Sequence, residues 1–196
     1  MRKLRSGRNR KKPIWLIGIL LIGLLGAGYF GFDLESITNP DYNAATEVRA
    51  QVEAGTYAVG RIIDGDTVVF RDSNGESYTV RLIGIDAPED TGQVEPGGPE
   101  ATAFITELLP IGDQVWLERC INRPKDRFNR VRAYVWLADP TLDSTNATEH
   151  MVNAIMLKEG HAEVLVIRGD SSKHEALFRE LEANARNSNL GMWATQ

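Results

Sequence analysis

The stretch from Tyr57 to Ile85, YAVGRIIDGDTVVFRDSNGESYTVRLIGI, decides how this chain is read. Short runs rich in Val, Ile, Tyr and Phe alternate there with two turn dipeptides, Asp64-Gly65 and Asn74-Gly75. Such dipeptides accept the backbone angles of tight hairpins, and β-branched and aromatic neighbours suit a pleated, half-buried surface. The pattern predicts strands over Tyr57–Ile63, Thr67–Arg71 and Tyr78–Ile85, joined as a three-stranded meander.

Downstream, Pro99–Leu109 has the marks of a helix: proline at its first position, Glu100 in the first turn, apolar Ala103, Phe104 and Leu108 at helical spacing, and Pro110 as a stop. Gln114–Cys120 and Val131–Leu137 read as two more strands around a polar loop. Thr148–Glu159 places Met151, Val152, Ile155 and Met156 on one helical face, with Gly160 placed as a C-cap. In Ser172–Asn187, Leu177, Phe178, Leu181 and Ala185 share the inward face, and Glu175/Arg179 and Glu182/Arg186 form i,i+4 pairs. The order β-β-β-α-β-β-α-α predicts an α+β domain over 57–196, a five-stranded OB-type Greek-key barrel with three helices. A five-stranded open sheet is the alternative.

The 196 residues, 42% hydrophobic and 25% charged, suit one folded domain and exclude a disordered chain. Cys120 is the only cysteine and cannot form an intramolecular disulfide; it is expected to be a buried strand residue. His150, His161 and His174 lack ligand spacing, so any metal would rest on oxygen. The net charge of −5 hides two opposed segments. Met1–Lys12 carries seven basic residues and no acid, which leaves −5 − 7 = −12 for the rest.

Residues 1–13 are expected to be a cytoplasmic basic segment. Ile14–Phe32 is an uncharged, mostly apolar run of 19 residues, which as a helix would span roughly 28 Å, close to the thickness of a bilayer's hydrocarbon core. It is expected to be a transmembrane signal anchor, one helix preceding the folded domain. The basic residues before it would keep the N-terminus in the cytoplasm and place the domain outside the cell membrane. A cleaved secretory signal is the alternative, and the domain would then be secreted. Residues 33–56 are polar, are interrupted by Asn39-Pro40, and read as a spacer.

Two features could carry chemistry. Asp64 and Asp66 stand at the turn into the second expected strand, and Asp86 and Glu89 stand just after the third. Hairpin geometry can bring those strand ends together, and two carboxylates with a backbone carbonyl could form half of a Ca²⁺ shell. The second feature is a basic island, Arg119–Arg132, with six basic residues against one acid, Asp126. Guanidiniums beside a carboxylate-bound cation suit phosphodiesters, because arginine addresses two phosphate oxygens at once.

The segments IDGDTV (63–68), RLIGIDAPE (81–89), GPEA (98–101), DRFNR (126–130), MVN (151–153) and NLGMW (189–193), with Ala133-Tyr134, together resemble the staphylococcal nuclease (thermonuclease) family. The resemblance runs in order from about Val59 to Trp193. It implies an OB-type barrel and a Ca²⁺-dependent enzyme that hydrolyses DNA and RNA to 5′-hydroxyl and 3′-phosphate ends. Residue by residue, it implies Asp66 and Asp86 as carboxylate ligands, Ala87 as a backbone-carbonyl ligand and Glu89 as general base. Arg81 and Arg130 would hold the phosphate, and Asp64 is expected to hydrogen-bond behind the ligands. Partners implied are the nucleic-acid substrate and the membrane, with no obligate protein partner; the oligomeric state is open.

The chain departs from the family pattern where that pattern has glycine at Asn129 and nucleotide-contacting tyrosines at Phe128, Val166 and Arg168. The loop before Pro99 is acidic, with Glu89, Asp90 and Glu95. Base preference therefore does not carry over with the resemblance. A catalytically silent OB-type module binding nucleic acid or protein at the membrane is the rival reading.

Overall fold

A computed structural model describes residues 56–120, 123–142, 146–167 and 173–195. The expected anchor Ile14–Phe32, the basic segment before it and nearly all of the spacer lie outside the described residues. Among the described residues, no helix is long and apolar enough to cross a membrane.

Five strands close into a barrel: β1 (Tyr57–Asp64), β2 (Thr67–Arg71), β3 (Ser77–Leu82), β5 (Gln114–Arg119) and β6 (Val131–Trp136). Their order around the barrel is β1-β2-β3-β6-β5, and Tyr57 opposite Val115 joins β5 back to β1. The open-sheet alternative is thereby excluded. Pairing is antiparallel except between β3 and β6, which run parallel with Arg81 beside Arg132. The register of β1 on β2 shifts between Val59 and Arg61 and again between Ile62 and Asp64. Such irregularities sharpen strand twist, and the second sits where β1 delivers Asp64 to the turn.

The third expected strand is shorter than its apolar run. The chain leaves β3 at Leu82, turns through Ile83-Gly84 and re-enters extended structure only at β4 (Ile85–Asp86). This strand pairs with the equally short β7 (Glu163–Val164) as a separate two-stranded sheet. The run stays apolar because Ile83 and Ile85 are buried outside the barrel ladder. Helix α1 spans Gly98–Leu108, close to its expected bounds.

The helix expected over Thr148–Glu159 is two helices, α2 (Ala147–His150) and α3 (Val152–Lys158). Met151 between them is extended and bridges Trp136 at the end of β6. Tertiary pairing with the sheet wins over the local helical pattern there. Helix α4 covers Glu175–Asn187 with Phe178, Leu181 and Ala185 buried as expected, and a short 3₁₀ helix, Gly191–Thr195, follows. Cys120 is buried just past the end of β5.

Asn153 ties α3 to the barrel. Its side chain is fully buried; its carbonyl oxygen accepts the Val135 N–H at 3.0 Å and its amide donates to the Ile83 carbonyl at 2.8 Å. Removing it would strand both backbone groups away from water. Asn153→Ala is expected to lower the unfolding free energy by about 3 kcal/mol, read from the urea midpoint at unchanged slope.

Glu118 is fully buried on β5 and accepts hydrogen bonds from Trp136 Nε1 at 3.1 Å and Lys173 Nζ at 2.9 Å. The neighbouring His174 ring lies against Tyr134, Trp136 and Phe178. Burial, helped by the Lys173 charge, pushes the His174 imidazole down to about 4. The unfolded chain then binds a proton that the folded chain refuses between pH 6.5 and about 4. This contribution is complete above pH 6.5 and disappears as pH falls through about 4. His174→Phe is expected to flatten that slope, so its Tm at pH 5 should rise relative to wild type while the two compare closely at pH 7.5.

Candidate active site

The β1–β2 turn sets the first aspartate. Gly65 lies so close to α1 and the strand exit that an added Cβ would come within 2.7 Å of the Ala87 Cβ and 2.9 Å of the Ala101 Cβ. This packing pins Asp66, 3% exposed, with one carboxylate oxygen accepting the Ala87 N–H at 3.0 Å and the other the Thr67 hydroxyl at 2.9 Å. Asp64 stands behind it and accepts the Asp66 N–H at 3.1 Å. Burial pushes the Asp64 carboxyl above its ordinary value, against hydrogen bonding from Thr67 and the charge of Arg81.

Arg81 projects from β3, where it is the register partner of Thr67. Its guanidinium contacts Asp66 through Nη1 and Asp86 through Nη2, so one cation bridges two carboxylates from different elements. The Arg81 side chain is 15% exposed and that of Asp86 is 47% exposed. Burial pushes the guanidinium below its ordinary value and the Asp86 carboxylate works against this, yet arginine starts so high that it stays protonated.

Glu89 sits on a loop held by its main chain. Its N–H donates to Glu95 Oε2 at 3.1 Å and its carbonyl accepts the Glu95 N–H at 2.8 Å. An added Cβ at Gly98 would lie 2.2 Å from that same carbonyl, so the start of α1 abuts the loop directly. The Glu89 side chain is exposed and its carboxylate has no hydrogen bond or ion pair to another described residue. A rigid backbone thus carries a solvated carboxylate.

Arg130 is fixed by Asp126. The Arg130 Nε donates to Asp126 Oδ2 at 2.6 Å, while Asp126 Oδ1 accepts the backbone N–H groups of Phe128 and Arg130 at 2.8 and 2.9 Å. Partial burial raises the Asp126 carboxyl, but these hydrogen bonds and the Arg130 charge outweigh it and hold it below the ordinary carboxylate value. Arg130 Nη1 reaches the Thr67 hydroxyl at 3.4 Å, linking the loop to the aspartate turn. The loop turns at Asn129, whose φ of 65° is left-handed, and Lys125 Nζ donates to its side-chain oxygen at 3.0 Å. Phe128 is 64% exposed, with the Arg127 and Arg130 guanidiniums over its ring at 4.6 and 5.4 Å.

Both arginines open onto a cleft of about 340 Å³ whose wall includes Phe128, Leu165 and Ile167. The structure therefore brings Asp66, Arg81, Asp86 and Ala87 together, with Arg130 linked through Thr67 and Glu89 on the adjoining loop. Val166 is half exposed beside this wall, and Arg168 lies outside the described residues. The basic-island pattern did not single out Asp126 as the group that orients Arg130, although four-residue spacing of opposite charges is a visible cue. Glu95 carried no signal, because its role depends on a loop conformation.

No group of three or more His, Cys, Asp or Glu side chains that could hold a metal exists among the described residues. The donor set on offer is two carboxylates and the Ala87 carbonyl. Oxygen ligands fit a hard cation that keeps water in its shell, and the seating of a guanidinium between Asp66 and Asp86 shows that this spot favours positive charge.

Residues 79–195 match the family model described as staphylococcal nuclease homologue. The chain is 33% identical over 157 residues to a thermonuclease of Staphylococcus intermedius, covering 79% of this chain and 83% of that protein. It is 32% identical over 142 residues to a thermonuclease of Staphylococcus hyicus, covering 71% and 76%. With Endonuclease YncB of Bacillus subtilis (strain 168) it shares 31% identity over 139 residues, covering 68% of this chain and 59% of the relative. On fold, site and matched sequence together, this chain belongs to the staphylococcal nuclease family.

Proposed function

We propose that this chain is a Ca²⁺-dependent nuclease that hydrolyses phosphodiester bonds of DNA and RNA, held outside the cell membrane by Ile14–Phe32. The observation that carries the reading is the meeting of Asp66 and Asp86 at Arg81, which with Arg130 lines one cleft. The thermonuclease and endonuclease names of its relatives support it.

Asp66, Asp86 and the Ala87 carbonyl would hold Ca²⁺. When bound, the ion supplies fixed positive charge against the negative charge that builds on the reacting phosphate. Arg81 and Arg130 donate hydrogen bonds to the phosphate oxygens and need transfer no proton to do so. Asp126 spends its own hydrogen bonds on Arg130, so that guanidinium meets substrate already oriented. Glu89 accepts a proton from water as the water oxygen bonds to phosphorus. The phosphorus–O5′ bond breaks and O5′ takes a proton from solvent, leaving 5′-hydroxyl and 3′-phosphate ends. A weak calcium site suits work outside the cell, where the ion is at millimolar level.

Cleavage of labelled single-stranded DNA and of RNA by the purified protein, with Ca²⁺, with Mg²⁺ and with chelator, tests this. The expected result is cutting with Ca²⁺, 3′-phosphate ends and none with chelator. Undiminished cutting in chelator would remove the ion from the mechanism. Ca²⁺ binding with no cutting of either polymer would make the domain a binding module. Protease added to intact cells should degrade the domain if the proposed topology holds.

A further inference from the structure

Two clefts meet at the contact of Arg81 with Asp86, and they carry opposite charge. The larger, already described, has several arginines in its wall, Arg123 and Arg127 among them, against one acid, Asp126. The smaller, of about 120 Å³, is lined by Asp86, Ala87, Pro88, Glu95, Glu163 and Met192, with no basic residue among them. One segment borders both: Glu163 lines the small cleft, and Leu165 and Ile167 further along it line the large one. Arg81 neutralises Asp86, but Glu163 is poorly compensated. It is the register partner of Asp86 across the β4–β7 pair, and its side chain is 50% exposed. Its ion-pair partner Arg186, at 3.8 Å, lies closer to Glu182, at 3.0 Å.

A strand whose scissile phosphate sits at Arg81 and Arg130 has two arms, and the two clefts offer them unequal places. Glu89 stands on the loop that carries Glu95, so water activated there attacks from the acidic side. In-line displacement sends the O5′ leaving group to the opposite side, which puts the nucleotides 3′ of the cut along the arginine cleft. The arm 5′ of the cut is left to pass the acidic side, where its phosphates meet a like charge at Glu163. Such repulsion discriminates between substrates without adding any attraction to the favoured one. We propose that Glu163 is a specificity-determining residue that turns away strands charged on the 5′ side of the scissile bond, so that this chain cuts by preference close to 5′ ends. This rests on the nuclease reading for its cutting assay but not for its binding assay.

Two single DNA strands of equal length and charge test this. In each, one ordinary phosphodiester separates a block of neutral methylphosphonates from a block of charged, slowly cut phosphorothioates. The charged block lies 5′ of the cut site in one strand and 3′ of it in the other. Full-length wild type is expected to cut the strand charged on the 3′ side with about ten-fold higher kcat/KM. The preference should fall about three-fold in Glu163→Gln, the worth of one surface charge interaction, and further in Glu163→Lys. Each ratio compares two strands on one protein, so any unfolded fraction cancels. The same strands are titrated by fluorescence anisotropy in chelator, where a preference of the same sign, reduced in both variants, is expected. Equal cutting of the two strands by wild type, or a preference unchanged in both variants, overturns the inference and leaves the nuclease reading standing. If the protein cuts neither strand, nor ordinary DNA or RNA, the nuclease reading fails and the titrations alone decide. A binding preference reduced in both variants upholds the role of Glu163, and equal affinities or an unchanged preference end it.

Discussion

Glu89→Gln is expected to lower kcat on single-stranded DNA by about a thousand-fold, within the range that a positioned general base supplies. The substitution is nearly isosteric, but an amide cannot take the proton that attacking water must lose. Structure should be spared, because the loop is held by the Glu89 N–H and carbonyl with Glu95 and by close contact with Gly98, none of which involves the Glu89 side chain. The variant should therefore melt within about a degree of wild type and bind oligonucleotide with comparable affinity, with the whole loss in kcat. Stopped single-turnover assays read the chemical step directly. A variant that cuts at the wild-type rate would take Glu89 out of the mechanism.

Arg81→Met is expected to cost about a hundred- to a thousand-fold in kcat/KM, the scale for removing one preorganised donor from the developing charge. It should also have an effect that Glu89→Gln lacks. Arg81 neutralises both Asp66 and Asp86, with Asp64 immediately behind, so its loss leaves like charges facing one another in a half-buried place. Removing one partner from such a pair costs a few kcal/mol. The Tm of Arg81→Met in chelator should thus fall by several degrees and recover on adding Ca²⁺, since a ligand that binds only the folded state stabilises it in proportion to its occupancy. Arg81→Lys should keep most of the Tm and little of the rate, because an ammonium supplies charge without the planar fork. A Ca²⁺-independent Tm in Arg81→Met would separate the two aspartates from the metal.

Both variants concern residues whose types and spacing are plain in the sequence, and that is the part of this protein most easily read. Asp64-Gly65 and Asn74-Gly75 mark their turns because local backbone preference and tertiary structure agree there. The barrel strands are legible for the same reason. Legibility fails where a residue's state is decided by something distant in the chain. Met151 looks helical with its neighbours, but the end of β6 draws it into a bridge with Trp136. Ile85 looks like the continuation of β3, but Val164, far along the chain, takes it as a partner. Two-residue strands carry no period to detect. Asn153 reads as one polar residue in an amphipathic run, and only the nearness of Val135 and Ile83 makes it a tie. In the site, charges could be counted from sequence, whereas the assignment of Asp126 to Arg130 and of Glu95 to the Glu89 backbone required the loops to be folded.

The parallel seam between β3 and β6 has a consequence in time. A ribosome makes the chain from its N-terminus, and the meander β1-β2-β3 can pair as soon as it emerges, but β3 waits for Val131–Ala133 to arrive before its other edge is filled. Arg81 lies on that waiting edge and Arg130 directly precedes the strand that fills it. Contacts so far apart in sequence form late, after the entropy of closing the intervening loop has been met. The two arginines proposed to hold the phosphate are therefore neighbours only in a chain that has finished folding. A nascent or truncated chain ending before Val131 carries Asp66, Arg81, Asp86, Glu89 and Arg130 but lacks the strand that seats Arg130 beside Arg81, and is expected to cut nothing.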